Sequence, residues 1–155
     1  MALILKKNFL TKRKIFKPLV LKKKNINGLS FGKHSIGHRG GGVCNLYRFI
    51  DYKRYISFVP GYIIDIIYDP NRNRLIFFLS YTNGILCYNL ASDNLYIGDF
   101  IENFNKNNQK IGNSLSLYML PSGSFINSIE LVPNLGSKYG RSSGIFLRIF
   151  GFFSK

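Results

Sequence analysis

Apolar residues along this chain fall in short blocks separated by turn-forming residues, and no block sustains the periodicity of a helix longer than a turn or two. Residues 43–51 (VCNLYRFID) are apolar, aromatic and β-branched, which predicts a strand, with Lys53 and Arg54 following at its edge. Pro60-Gly61 marks a turn or bulge before residues 62–68 (YIIDIIY), a block too apolar to be exposed on both faces. It stops at Asp69-Pro70-Asn71-Arg72. Asp can accept from backbone N–H groups two residues on, and Pro presets φ for the second turn position, so a tight turn is expected there. Residues 75–81 (LIFFLSY) predict the returning strand, Asn83-Gly84 is a strong hairpin signal, and residues 85–90 predict the next strand. Residues 95–101 (LYIGDFI) are expected to cap the sheet, residues 103–109 form a polar loop, and residues 114–120 predict a fifth strand ended by Pro121-Ser122-Gly123. Short strands at this spacing describe a small antiparallel barrel.

A second unit is expected beyond Gly123. Residues 125–131 (FINSIEL) and 145–153 predict strands on either side of a turn-rich loop, 133–144, that carries Lys138 and Arg141. Two or three strands neither close a barrel nor bury both faces, so this unit requires a partner.

Charge changes the picture most in the N-terminal third. The 155-residue chain carries 22 Lys+Arg against 7 Asp+Glu, a formal charge of +15. Residues 1–54 hold 14 of those cations and one acid, Asp51, while the rest of the chain is nearly balanced. Such an excess repels itself until a polyanion neutralises it, which points to nucleic acid or an anionic membrane surface. No apolar run reaches the roughly 18 residues a membrane span requires. Residues 1–36 read as a basic extended arm that orders on binding, because a segment so charged buries too little apolar surface to offset its ordering cost. The enrichment in Asn, Ile, Phe, Tyr and Lys, with no Trp, matches an AT-rich genome of the organellar kind.

Between the arm and the first strand lies Gly37-His38-Arg39-Gly40-Gly41-Gly42. Three consecutive glycines let the backbone come close to a ligand, and the N–H groups with the Arg39 fork can donate to phosphates. The cations expected to meet RNA are Lys33, His38, Arg39, Arg48, Lys53, Arg54, Arg72, Arg74, Lys138 and Arg141, with Gly40, Gly41 and Gly42 allowing close approach. Tyr47, Tyr68 and Tyr81 are candidates for stacking on bases, with core packing as the competing role. No catalytic constellation is present: His34 and His38 have no carboxylate or Cys at useful spacing, and Asp51, Asp65, Asp69 and Asp99 are isolated. Cys44 and Cys87 lack metal-ligand spacing and read as small apolar fillers, so neither a metal nor a cofactor is expected.

Taken in order, the blocks resemble one family, the universal large-subunit ribosomal protein two in its bacterial and organellar form. GHRGGG at 37–42 resembles the family's RHRGGG, and YRFIDYKR at 47–54 resembles YRIIDFKR. YDPNR at 68–72 is similar to EYDPNRSA, and YTNG with Tyr88, Leu90 and Ala91 is similar to the hairpin YADGEKRYILAP. IGD at 97–99 resembles VGD, IGNSLSL at 111–117 resembles VGNALPL, and LPSGSFINSIEL at 120–131 resembles IPVGTIVHNIEL. Gly136 and RSSG at 141–144 resemble the GRSAGT-type loop. The resemblance covers about residues 28–149 and corresponds to the first half of the family.

That resemblance implies an all-β chain. A basic arm (1–36) is followed by an OB-like antiparallel barrel (37–121) and the start of an incomplete SH3-like barrel (122–155), embedded in large-subunit rRNA. It implies a structural RNA-binding role in translation, with rRNA and neighbouring ribosomal proteins as partners and no enzymatic activity. Some positions depart from the family. Val43, Cys44 and Asn45 replace a polar or basic stretch, and Ile85, Leu86 and Cys87 replace the charged part of the hairpin. Each lost cation removes a phosphate contact, which protein neighbours could replace. The family's C-terminal half is expected as a separate chain, and a mitochondrial ribosome is the expected location, with the plastid as alternative. A free OB-type module binding single-stranded RNA or tRNA is the competing function.

Overall fold

The computed structural model describes residues 15–22, 29–30, 33–34, 46–104 and 109–151. The architecture is all-β. Its strands are β1 (Val20–Lys22), β2 (Leu29–Ser30), β3 (Lys33–His34), β4 (Leu46–Arg48), β5 (Gly61–Asp69), β6 (Arg74–Tyr81), β7 (Leu86–Leu90), β8 (Phe100–Ile101), β9 (Phe125–Ile126) and β10 (Leu147–Arg148). Two single-turn 3-10 helices, Lys17–Leu19 and Leu117–Met119, are the helical elements among the described residues.

The centre is a curled antiparallel sheet in the order β7-β6-β5-β8, an OB-like arrangement. The block 62–68 forms a strand as its composition predicts, and a bulge at Ile64 explains how it can be so apolar. Ile63 pairs with Leu79 and Asp65 with Phe78, so Ile64 is the extra residue. One residue inserted into the period-two alternation bends the strand and exchanges which side chains face which way. Ile63, Ile66, Phe77, Leu79 and Ile101 consequently pack together as one cluster, while Ile67, Ile76, Tyr88 and Leu90 form another. At the start of β5, Gly61 lies flat against Tyr81. A Cβ there would come 2.9 Å from the ring, so no larger residue fits without displacing it.

Both predicted turns form by the expected chemistry. The Asp69 carboxylate accepts from the Asn71 N–H at 3.1 Å, and the Arg72 N–H donates to the Asp69 carbonyl at 3.2 Å. At the hairpin tip Gly84 adopts φ +85°, and Asn83 Oδ1 accepts from the Ile85 N–H at 3.1 Å.

Elsewhere the strands are shorter than the apolar blocks. Within 43–51 the described strand is β4, after which Ile50 bridges Tyr88 in parallel and extends the sheet beyond β7. The cap 95–101 contributes β8, whose Ile101 pairs with Gly61. Residues 114–120 do not form the expected fifth strand. Ser114 makes one bridge to Asn103, and the chain then turns into the helix Leu117–Met119, leaving Leu117 and Tyr118 exposed. Lacking a continuous strand partner, those apolar residues cannot hold a ladder.

Part of the expected arm packs on the sheet. β1 pairs antiparallel with β4, Leu19 and Val20 lie against the Tyr88 cluster, and the Phe16 ring sits 5.9 Å from Phe78. The reason is local composition, since these apolar residues can bury where the neighbouring lysines cannot. No helix of the described residues is long and apolar enough to cross a membrane.

Candidate nucleic-acid interface

The candidate interface is built on the turn that ends β5. Asp69 is fully buried, which for a carboxylate demands charged or hydrogen-bonding partners. Arg48 of β4 donates to its Oδ1 at 3.4 Å, the Asn71 amide donates at 3.2 Å, and Arg72 donates to Oδ2. The same Asn71 amide donates to the Leu46 carbonyl at 2.7 Å, tying β4 to the turn. Arg72 also donates through Nε to the Tyr52 hydroxyl at 3.2 Å and lies 4.9 Å over the Tyr47 ring. Burial works against its charge, but the hydrogen bonds to Tyr52 and Asp69 outweigh it and hold the Arg72 guanidinium more firmly protonated than usual.

Tyr52 is the hub for the remaining cations. Arg141 stacks on its ring at 4.1 Å, with Nε buried and unpaired. The Tyr52 carbonyl accepts from the Ser137 N–H at 3.0 Å, which brings the loop carrying Lys138 beside Lys53. Arg74 donates to the carbonyls of Arg141, of Ser142 at 3.2 Å and of Ala91 at 2.7 Å, pinning that loop to the sheet. Burial lowers the Arg74 pKa, partly offset by Asp93 and Tyr52. Lys53 is exposed and extends along Tyr55, with Nζ donating to that hydroxyl at 2.7 Å.

Arg54 stands apart from this group. Its N–H and that of Lys53 donate to Asp51 Oδ1 at 2.9 and 3.0 Å, and its Nη1 reaches the Gly112 carbonyl at 2.7 Å. Burial lowers its pKa, opposed by Tyr81, Asp51 and Cys87.

The structure thus gathers Arg48, Lys53, Arg72, Arg74, Lys138 and Arg141 around Tyr52 and Asp69, and separates Arg54 from them. Lys33 is exposed on β3. His38, Arg39, Gly40, Gly41 and Gly42 lie outside the described residues, as does Cys44. Arg48 is nearly enclosed and spends a donor on Asp69, whereas Lys33, Lys53 and Lys138 present exposed ammonium groups. Of the stacking candidates, Tyr81 is a core residue, buried and bonded through its hydroxyl to Asn103. Tyr47 is covered by Arg72 on one face and meets Phe49 edge-on, while Tyr68 is 40% exposed. Sequence reasoning passed over Tyr52, the residue that organises the cluster; its place in YRFIDYKR between two predicted contacts was the available signal.

Chemically the cluster is rich in cations. Among the described residues the ion pairs are those of Asp69 with Arg48 and Arg72, so Lys53, Arg74, Lys138 and Arg141 make none. No group of three or more His, Cys, Asp or Glu among the described residues is placed to hold a metal. Burial pushes the Cys87 thiol up to about 12, which suppresses the thiolate a nucleophile would need. Arginine forks seated on aromatic rings, with lysines at the rim, suit phosphate oxygens.

A family model described as ribosomal proteins L2, RNA binding N-terminal domain, matches residues 16–103. The matched span contains β1 through β8, Asp69 and Tyr52, while Lys138 and Arg141 lie beyond it. The match spans more than half of the sequence, and the chain belongs to the ribosomal protein L2 family.

Proposed function

We propose that this chain is a structural component of the large subunit of an organellar ribosome, mitochondrial in our reading, where it holds rRNA phosphates on the cation cluster around Tyr52. The observation that carries the reading is that Arg141 on the Tyr52 ring, Arg74 on the Arg141 carbonyl, Lys53 beside Tyr52 and Lys138 beside Ser137, which bonds the Tyr52 carbonyl, make no ion pair among the described residues. Lys33, Lys53 and Lys138 are exposed and add positive charge for phosphates to meet. Arg48 and Arg72 contribute mainly by fixing the turn on which the surface is built. His38, Arg39 and Gly40–Gly42, by sequence alone, are further proposed RNA contacts.

In the same reading the segment from 122 onward is the start of an SH3-like unit, completed by a separate chain. The β9–β10 pair supports this, because two strands cannot enclose a core and Phe125, Phe146 and Phe150 stand exposed.

Salt titration of binding to large-subunit rRNA tests the RNA reading. Each phosphate contact contributes roughly 0.9 to the slope of log affinity against log salt on duplex and about 0.7 on single strands. Replacing Lys53 and Lys138 together by Ala should therefore shallow the slope by about 1 to 2 while leaving the melting temperature unchanged. An unchanged slope would remove those two lysines from the interface, and a wild-type slope near zero would sink the RNA reading.

A further inference from the structure

We propose that the chain carries a slot for a single unstacked nucleobase, separate from the phosphate surface, between Phe58, Phe104 and Tyr118; this rests on the rRNA-binding reading above. Three chain segments meet there, lined by Ser57 and Phe58, by Phe104, and by Ser116, Tyr118 and Met119, around a cleft of about 320 Å³. That volume is at the lower end of small-ligand pockets, which run from roughly 300 to 1,000 Å³, and so fits one base rather than a duplex.

The aromatic rings are held in place at a backbone cost. Phe58 has φ +57° and Phe104 φ +61°, a left-handed conformation that bulky residues rarely adopt. Phe58 is fastened through buried Asn103. The Phe58 N–H donates to the Asn103 carbonyl at 3.1 Å, and the Asn103 amide donates to the Ile56 carbonyl at 2.9 Å and the Tyr81 hydroxyl at 3.2 Å. The Phe104 N–H donates to the Ser114 carbonyl at 2.7 Å. The strained Phe58 is 73% exposed, Phe104 is half-buried, and Tyr118, from the single helical turn, is 69% exposed, so two rings face outward at the cleft.

Polar groups at the rim complete the recognition. Ser57 and Ser116 bring hydroxyls, and the Gln109 side-chain amide donates to the carbonyl of the lining residue Met119 at 2.9 Å. Aromatic faces with hydroxyl and amide edges are how proteins take up splayed-out bases, and stacking is tolerant of base identity. The chain's +15 charge favours nucleic acid as the occupant.

The test is a titration of the full chain against a single-stranded RNA oligomer carrying one fluorescent adenine analogue, whose emission is quenched by stacking. Phe58→Gly and Tyr118→Leu should each weaken binding about 5- to 100-fold and abolish the quench, with the salt slope unchanged. Phe58→Tyr should retain both. Glycine accepts positive φ freely, so Phe58→Gly should hold or raise the melting temperature while affinity falls. A melting temperature that drops together with affinity would make the ring ordinary packing and overturn the slot. Unchanged affinity and quench in both variants would also overturn it while leaving the rRNA reading intact, and weaker sedimentation with large subunits in that case would assign the cleft to a protein neighbour. A wild-type chain that fails to bind the oligomer at low salt would overturn both together.

Discussion

Between Gly61 and Asn103 the chain buries a core of apolar side chains against one another, whereas between Phe125 and Phe150 most comparable side chains stay on the surface. Ile63, Leu79, Phe77 and Ile101 are each at most 1% exposed; Phe125 and Phe146 are 67% exposed and Phe150 92%. The two regions do not differ in the kind of residue. They differ in the number of strands available to cover each face: four in the central sheet against the short β9–β10 pair. The first region holds itself together by hydrophobic burial and by the Asp69 knot. The second is held from outside, by Arg74 on the Arg141 and Ser142 carbonyls, by Arg141 on Tyr52, and by Ser137 on the Tyr52 carbonyl.

Substitutions should separate the two regions by size of effect. The largest is expected at Asp69: Asp69→Ala leaves Arg48 buried without its counter-charge and should cost about 3–5 kcal/mol, read as a lowered denaturation midpoint for the whole sheet. Leu79→Ala should cost about 2–5 kcal/mol through the cavity it opens in the sheet's core. A loss below about 1 kcal/mol in either would deny that the sheet is the self-sufficient unit. Arg74→Ala comes next. It removes three carbonyl contacts that sit partly in solvent, so about 1–3 kcal/mol is expected, confined to the second region. Amide exchange should quicken across 136–148 and stay slow in β5 and β6. Phe146→Ala should be smallest, about 1 kcal/mol or less, because its edge-on contact with Phe125 at 5.2 Å is all it would lose among the described rings.

One pH dependence belongs to the sheet. The Cys87 pKa is raised to about 12 by burial, so the folded state disfavours the thiolate relative to the unfolded chain. Its contribution to stability is therefore complete below the ordinary thiol pKa and falls as pH rises through that value toward 12. Alkylation of Cys87 in the native chain at pH 8 should be slow and should follow unfolding; prompt native labelling would contradict the burial.

What could be read in advance was what depends on neighbours in sequence. The Asp69-Pro70-Asn71-Arg72 and Asn83-Gly84 turns form as expected because their hydrogen bonds close within a few residues. The hairpin strands β5, β6 and β7 follow from those turns. The failure at 114–120 has the opposite cause: whether an apolar stretch is a strand depends on a partner, and only Ser114 finds one. The engagement of the arginines was hidden for the same reason. Arg48 meets Asp69 across 21 residues and Arg74 meets Arg141 across 67, separations at which sequence spacing carries no signal. Charge alone cannot tell a guanidinium that binds RNA from one that holds the fold, and here several are engaged with the protein's own carbonyls, rings and one carboxylate.

The most direct measurement of the central claim is sedimentation of the full chain with large ribosomal subunits as salt is raised. An rRNA-embedded structural component should remain with the subunit through a high-salt wash, because its phosphate contacts are enclosed and its exposed apolar face is covered. Release as a free protein at modest salt would contradict it.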